Sequence, residues 1–187
     1  MKKYILLLAL VFGFQFAKAQ DFIATEKYTI VDAITTKQQE YNSTTLSVVK
    51  SEDTSKKVAT LKITDIDLFD EVEITVLNNP NLENIHEVIK VELTYIACCA
   101  NSESYYYLAT KDGDFVSLPS IENVYCDIPQ ATLHYIFPNQ KYGQEDTILT
   151  TAINYTESYK IKNIEILKSF AWNDDDFDSK DAITALQ

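Results

Sequence analysis

From Ile89 to Cys99, apolar side chains occupy every second position. Ile89, Val91, Leu93, Tyr95, Ala97 and Cys99 share one side, and Lys90, Glu92 and Thr94 the other. A period of two is the pattern of a half-buried strand. Two further strand-like runs follow, Tyr105 to Thr110 and Phe115 to Leu118, separated by Lys111-Asp112-Gly113-Asp114. Asp-Gly between apolar runs predicts a tight hairpin, because glycine accepts the positive φ that such turns require. Pro119 ends the third run or places it at a sheet edge. The stretch from Val88 to Cys126 therefore predicts an antiparallel meander on which the rest of the chain must pack.

The flanking sequence continues the pattern. Val72 to Val76 alternates cleanly and stops at Asn78-Asn79-Pro80. Thr45 to Val49, Val58 to Leu68, Thr132 to Phe137, Thr147 to Tyr155 and Tyr159 to Phe170 are further β candidates. The uneven spacing of Ile161, Ile164 and Ile166 predicts a bulge in the last of these. Phe22 to Gln39 carries both signals: Ile23, Lys27, Ile30 and Ile34 at helical spacing, and Tyr28, Ile30 and threonines that suit a strand. Leu82, Ile85, Val88 and Ile89 predict a short helix before the central strand. Asp178 or Ser179 is placed to cap a final one running to Leu186. Short strands at intervals of roughly ten residues predict a mainly β fold, an antiparallel β-sandwich or open barrel with one or two short helices. Beyond residue 19 only Gly113 and Gly143 remain, so asparagine and aspartate must supply many of the turns.

The N-terminus reads as an address. Met1-Lys2-Lys3 is basic, Tyr4 to Phe16 is nearly all apolar, and Ala17-Lys18-Ala19 is a small-x-small cleavage pattern. This predicts a signal peptide over 1–19, cleaved after Ala19, and a single secreted or periplasmic domain over 20–187. Within that domain, 172–187 is expected to be an acidic, partly flexible C-terminal segment. The apolar run is shorter than the roughly 20 residues a spanning helix needs, and no other long run exists, so no membrane span is expected.

Loss of Lys2, Lys3 and Lys18 with the leader moves the formal charge from −12 to −15, and all sixteen basic residues are lysines. Nucleic-acid binding needs a basic footprint and is excluded on this balance. The acidity fits a secreted protein kept in solution, or one that meets basic partners or metal ions.

In an oxidising compartment the three cysteines imply one disulfide and one leftover thiol. Cys99 continues the apolar face of its run and Cys98 the polar one, which favours Cys99 with Cys126 over Cys98 with Cys126. Cys98, Cys99, Cys126 and His134 are the donors available for a zinc or copper site, although their spacing matches no closed structural-zinc pattern. Asp174-Asp175-Asp176-Phe177-Asp178 with Asp181 is the densest acidic cluster, but it lacks the glycine and glutamate of a calcium loop. No nucleophile elbow, no His-Glu-x-x-His and no phosphate-cradling glycine loop is present, so no residue is assigned a catalytic role and no cofactor is implied. Asn42-Ser43-Thr44 and Asn154-Tyr155-Thr156 match the glycan acceptor pattern. Tyr105-Tyr106-Tyr107 lies on a strand, and Tyr105 and Tyr107 share a face that would offer stiff, amphipathic contact area if exposed. The sequence thus points to a non-catalytic binding domain with a protein partner. The alternatives are a cell-envelope hydrolase using a carboxylate pair, or a calcium or soft-metal binder.

Overall fold

The computed structural model describes residues 21–37, 42–63, 66–126, 131–173 and 176–180. Among them are thirteen strands and no helix, and the pairings between these strands are antiparallel.

The central sheet is the predicted meander with additions. It runs β1 (Ile23–Ala24), β5 (Phe69–Asn78), β6 (Ile85–Tyr95) and β7 (Ala100–Thr110). Two short strands share the far edge of β7. β8 (Phe115–Ser117) pairs its second half through the Lys111–Asp114 turn, and β9 (Ile121–Tyr125) pairs its first half. The Asp-Gly hairpin forms as its chemistry demands: Gly113 has φ 95°, and Thr110 N–H donates to Asp114 O at 2.9 Å. A three-stranded sheet joins β2 (Tyr28–Lys37), β3 (Asn42–Lys50) and β4 (Lys57–Ile63). A four-stranded sheet joins β10 (Thr132–Ile136), β11 (Thr147–Tyr155), β12 (Ile161–Asn173) and β13 (Asp176–Lys180).

Two apolar clusters place these sheets in three layers. On one face of the central sheet, Val76, Ile89, Val91, Leu93 and Tyr107 pack with Tyr28, Leu46, Val48, Leu61 and Ile63 of the three-stranded sheet. On the other, Leu77, Val88, Tyr106 and Leu108 pack with Tyr135, Phe137, Ile148, Phe170 and Trp172 of the four-stranded side. Polar ties join the layers where backbone would otherwise be stranded. The Asn123 side chain on β9 acts as a peptide surrogate: it accepts from Leu133 N–H at 2.6 Å and donates to Leu133 O at 3.1 Å. Trp172 Nε1 donates to Glu83 O at 2.8 Å, and Tyr135 Oη to Pro119 O at 3.1 Å.

The helix expected before the central strand is absent, and no helix occurs among the described residues. Ile85 and Val88 belong to β6, whose two faces are both covered. Apolar residues of both parities are then needed, and their mixture imitates helical spacing. Asp178 and Ser179 lie in β13, paired with Ala171 and Phe170, instead of capping a helix. Residues 181–187 and the leader, 1–19, lie outside the described residues. The ambiguous Phe22–Gln39 stretch is a strand over Tyr28–Lys37. The bulge expected in the last long strand is present twice, where Lys162 and Leu167 are passed over in the pairing of β12 with β11. Asn79, Asn81, Asn84 and Asp146 all adopt positive φ, as the shortage of glycine required.

Cys99 and Cys126 form the disulfide, with Cα atoms 4.7 Å apart, and Cys98 is a free, exposed thiol. The bridge sits one residue beyond the Ala100–Tyr125 pair that ends the β7–β9 ladder. It joins two chain ends that the ladder has already brought together.

Candidate functional site

A cavity of about 310 Å³ opens between the central sheet and the four-stranded sheet. That is the lower end of the size range of small-molecule sites. Its floor is Lys90 and Tyr106, direct cross-strand partners on β6 and β7. Both point to the same face because the strands alternate. One wall is His134 and Ile136 of β10. Ile153 of β11 and Ile164 and Ile161 of β12 continue it, with Ile153 paired to Ile164. Phe22, just ahead of β1, closes one end and holds its place by edge-to-face contact with Tyr106 and Phe137 at 6.0 and 6.1 Å.

The rim is the loop after β10. Gln140 N–H donates to Phe137 O at 2.9 Å, Phe137 N–H to Gln140 Oε1 at 3.0 Å, and Gly143 N–H to Gln140 O at 3.0 Å. The loop folds back so closely that a Cβ on Gly143 would stand 2.2 Å from Phe137 O, so only glycine fits. This turn presents Gln140, Lys141 and Tyr142 to the cavity. Tyr142 is 54% exposed and sits at φ 71°, a conformation that costs a bulky side chain energy and is often kept at functional positions.

The polar end is ordered. Lys90 Nζ lies 2.6 Å from Glu92 Oε2, and Ser104 Oγ donates to the same oxygen at 2.7 Å. His134 Nε2 lies 2.8 Å from Thr132 Oγ1, which also meets Tyr155 Oη at 3.2 Å. Burial pushes the Glu92 carboxyl up, but the bonds from Lys90 and Ser104 with the charges of Lys90 and His134 overcome it, so it titrates below its ordinary value. Burial, reinforced by the Lys90 charge, pulls His134 down, which keeps the imidazole neutral at pH 7.

A second polar cluster lies on the opposite face. Glu87, 3% exposed, accepts from Tyr28 Oη at 2.5 Å and from Lys27 Nζ at 2.8 Å, with His86 Nε2 3.3 Å away. Burial raises Glu87, and these hydrogen bonds and charges win, so its pKa is also lowered. This cluster fastens the three-stranded sheet to the central one. Both carboxylates therefore add stability that is complete above the unfolded value, about 4.3, and is lost as pH falls through their lower folded values. His134, also depressed, adds a loss that begins below about 6.5. Thermal unfolding followed by circular dichroism is expected to show a midpoint that falls on acidification in these two stages. Glu87→Gln flattens the lower stage. An unchanged acid limb in that variant would remove Glu87 from the account.

No family model matches the chain, and no curated protein or solved structure is significantly similar to it.

The residues singled out in the sequence fare unevenly. Tyr107 is 8% exposed within the core cluster against the three-stranded sheet, and Tyr105 is half-buried at its margin. The contact platform expected of them is corrected on that ground: the layer over this face covers it. Burial accordingly raises the Tyr107 hydroxyl to about 12. Cys99 and Cys126 are consumed by their disulfide, so a thiolate site using all three cysteines is ruled out. No group of three or more His, Cys, Asp or Glu able to hold a metal is present among the described residues. Asp174, Asp175 and Asp181 lie outside them.

Of the cavity residues, His134 was named in the sequence as a donor for a soft-metal site and Tyr106 as part of the tyrosine run, neither as cavity lining. Lys90 and Glu92 read as a solvent face. No local signal marked them: an antiparallel sheet can leave one face in water, so the covering of β6 on both faces is not written in its own alternation.

Proposed function

We propose that this chain is an exported, non-catalytic binding domain, secreted or periplasmic, and that the cavity floored by Lys90 and Tyr106 is where it binds. The observation that carries the reading is the cavity itself: a half-open space lined by isoleucine and aromatic side chains, with Lys90 and His134 among its polar residues. Such sites are mostly apolar with a few polar groups that fix orientation. The leader pattern and the Cys99–Cys126 bridge fit an oxidising compartment. No helix among the described residues is long and apolar enough to cross a membrane.

The hydrolase alternative finds less support. A carboxylate acid needs a raised pKa, and Glu87 and Glu92 are each ion-paired and lowered. A protein partner retains one specific observation. Leu68, Ile96, Val124 and Tyr125 are exposed at the disulfide end of the central sheet, with Ile96 N–H bonded to Leu68 O at 2.8 Å.

The test uses the protein recovered after export from cells expressing the full chain, titrated with anilinonaphthalene sulfonate. One saturable site with a fluorescence rise is expected, and Ile153→Trp, which fills the cavity, abolishes it while the far-ultraviolet spectrum stays the same. No rise in the wild type, or an unchanged rise in the variant, overturns the reading.

A further inference from the structure

We infer that the cavity takes a small amphiphile, an apolar chain ending in a single carboxylate, with the head at Lys90 and His134 and the chain along Ile136, Ile153 and Ile164. The inference rests on the binding-domain reading above and names its ligand class.

Charge complementarity selects the head group. The protein carries a formal −12, yet the cavity is lined by Lys90 and Lys141 against the single acid Asp21. Lys90 is mostly withdrawn from water, its side chain 18% exposed, and an ammonium has three donors. Glu92 engages one of them and is itself tied back by Ser104. Two donors remain on an ammonium that lines the cavity. The imidazole of His134 borders the same space, and its contact with Thr132 uses only Nε2.

The same groups argue against other heads. A phosphate collects arginine forks or nests of backbone N–H groups, and the chain has no arginine at all. A sugar wants several convergent hydrogen-bonding groups and an aromatic platform. Here four isoleucines share the lining with Phe22, Tyr106, Tyr135 and Tyr142, and Trp172 is buried in the core cluster away from it. The chain end of the ligand is set by those walls, where each methylene removed from water tightens binding about fourfold until the space is full.

The experiment is isothermal titration of the exported protein with octanoate, octanol and octylamine, each below its self-association limit, at fixed ionic strength. Octanoate is expected to bind about tenfold or more tighter than the other two, the gain of one charge-assisted hydrogen bond. Hexanoate is expected to be weaker than octanoate. Lys90→Met keeps the stem and removes the charge; it is expected to weaken octanoate about tenfold and leave octanol within about twofold. If that variant fails to fold, the wild-type series alone decides. Octanol equal to octanoate, or octylamine the tightest, overturns the carboxylate assignment while leaving the cavity as a binding site. Failure of all of them together with a blank in the fluorophore titration overturns both.

Discussion

Phe137→Ala is expected to lower the unfolding free energy by about 3–5 kcal/mol, the range for truncating a fully buried phenylalanine. Phe137 has no exposed surface and lies in the cluster between the central and four-stranded sheets. Its ring meets Phe22 at 6.1 Å and Tyr135 at 6.5 Å, and Tyr135 in turn stands edge-on to Tyr106 at 5.0 Å. Removing it empties the centre of an aromatic group that spans three separate parts of the chain, so the surroundings can close only partly. Urea unfolding measures it: the midpoint falls with an unchanged slope. Because Phe22 also closes one end of the cavity, the variant is expected to bind the fluorophore more weakly as well. A loss under about 1 kcal/mol would mean that the site collapses freely and that the packing there is looser than described.

Replacing both bridged cysteines by serine is expected to cost roughly 3.5 kcal/mol, the chain-entropy value for a loop of this length. The loop is set by a sequence separation of 27. For a domain of this size that corresponds to a fall in melting temperature of about 10 °C. The native structure should survive, because the pairing of β7 with β9 continues from Ala100–Tyr125 to Ser104–Ile121 without the bridge. Cys98→Ser, at an exposed free thiol, is expected to leave the midpoint within about 1 °C. Thermal unfolding with and without reductant checks both. If reductant leaves the wild-type midpoint unmoved, the bridge does not stabilise the fold.

The cysteine pairing was legible, although by a route the structure does not follow. Alternation was extended from Ile89 through Cys99, but the strand ends at Tyr95, and Ile96, Ala97 and Cys98 are exposed outside it. Cys99 meets Cys126 because each flanks the paired end of a neighbouring strand. The hairpin at Gly113, the asparagine turns and the β12 bulges were legible for a sounder reason. Each is fixed by the conformational limits of a few adjacent residues. The helix before the central strand was misread because Ile85, Val88 and Ile89 serve two different cores, which no local periodicity separates from a helix face.

The amino-acid sequence by itself determined the strand-rich class, the positions of the tight turns and the presence of a bridge to Cys126. These follow from local backbone preference, side-chain alternation and redox chemistry. The tertiary structure alone decided that the central sheet is covered on both faces, that Tyr107 is interior and Tyr105 half-buried, and that Lys90 and His134 border one cavity. Burial is a property of what lies on top of a strand. The layers that cover β6 and β7 come from segments tens of residues away in the chain, so the fate of their side chains is set by packing at a distance.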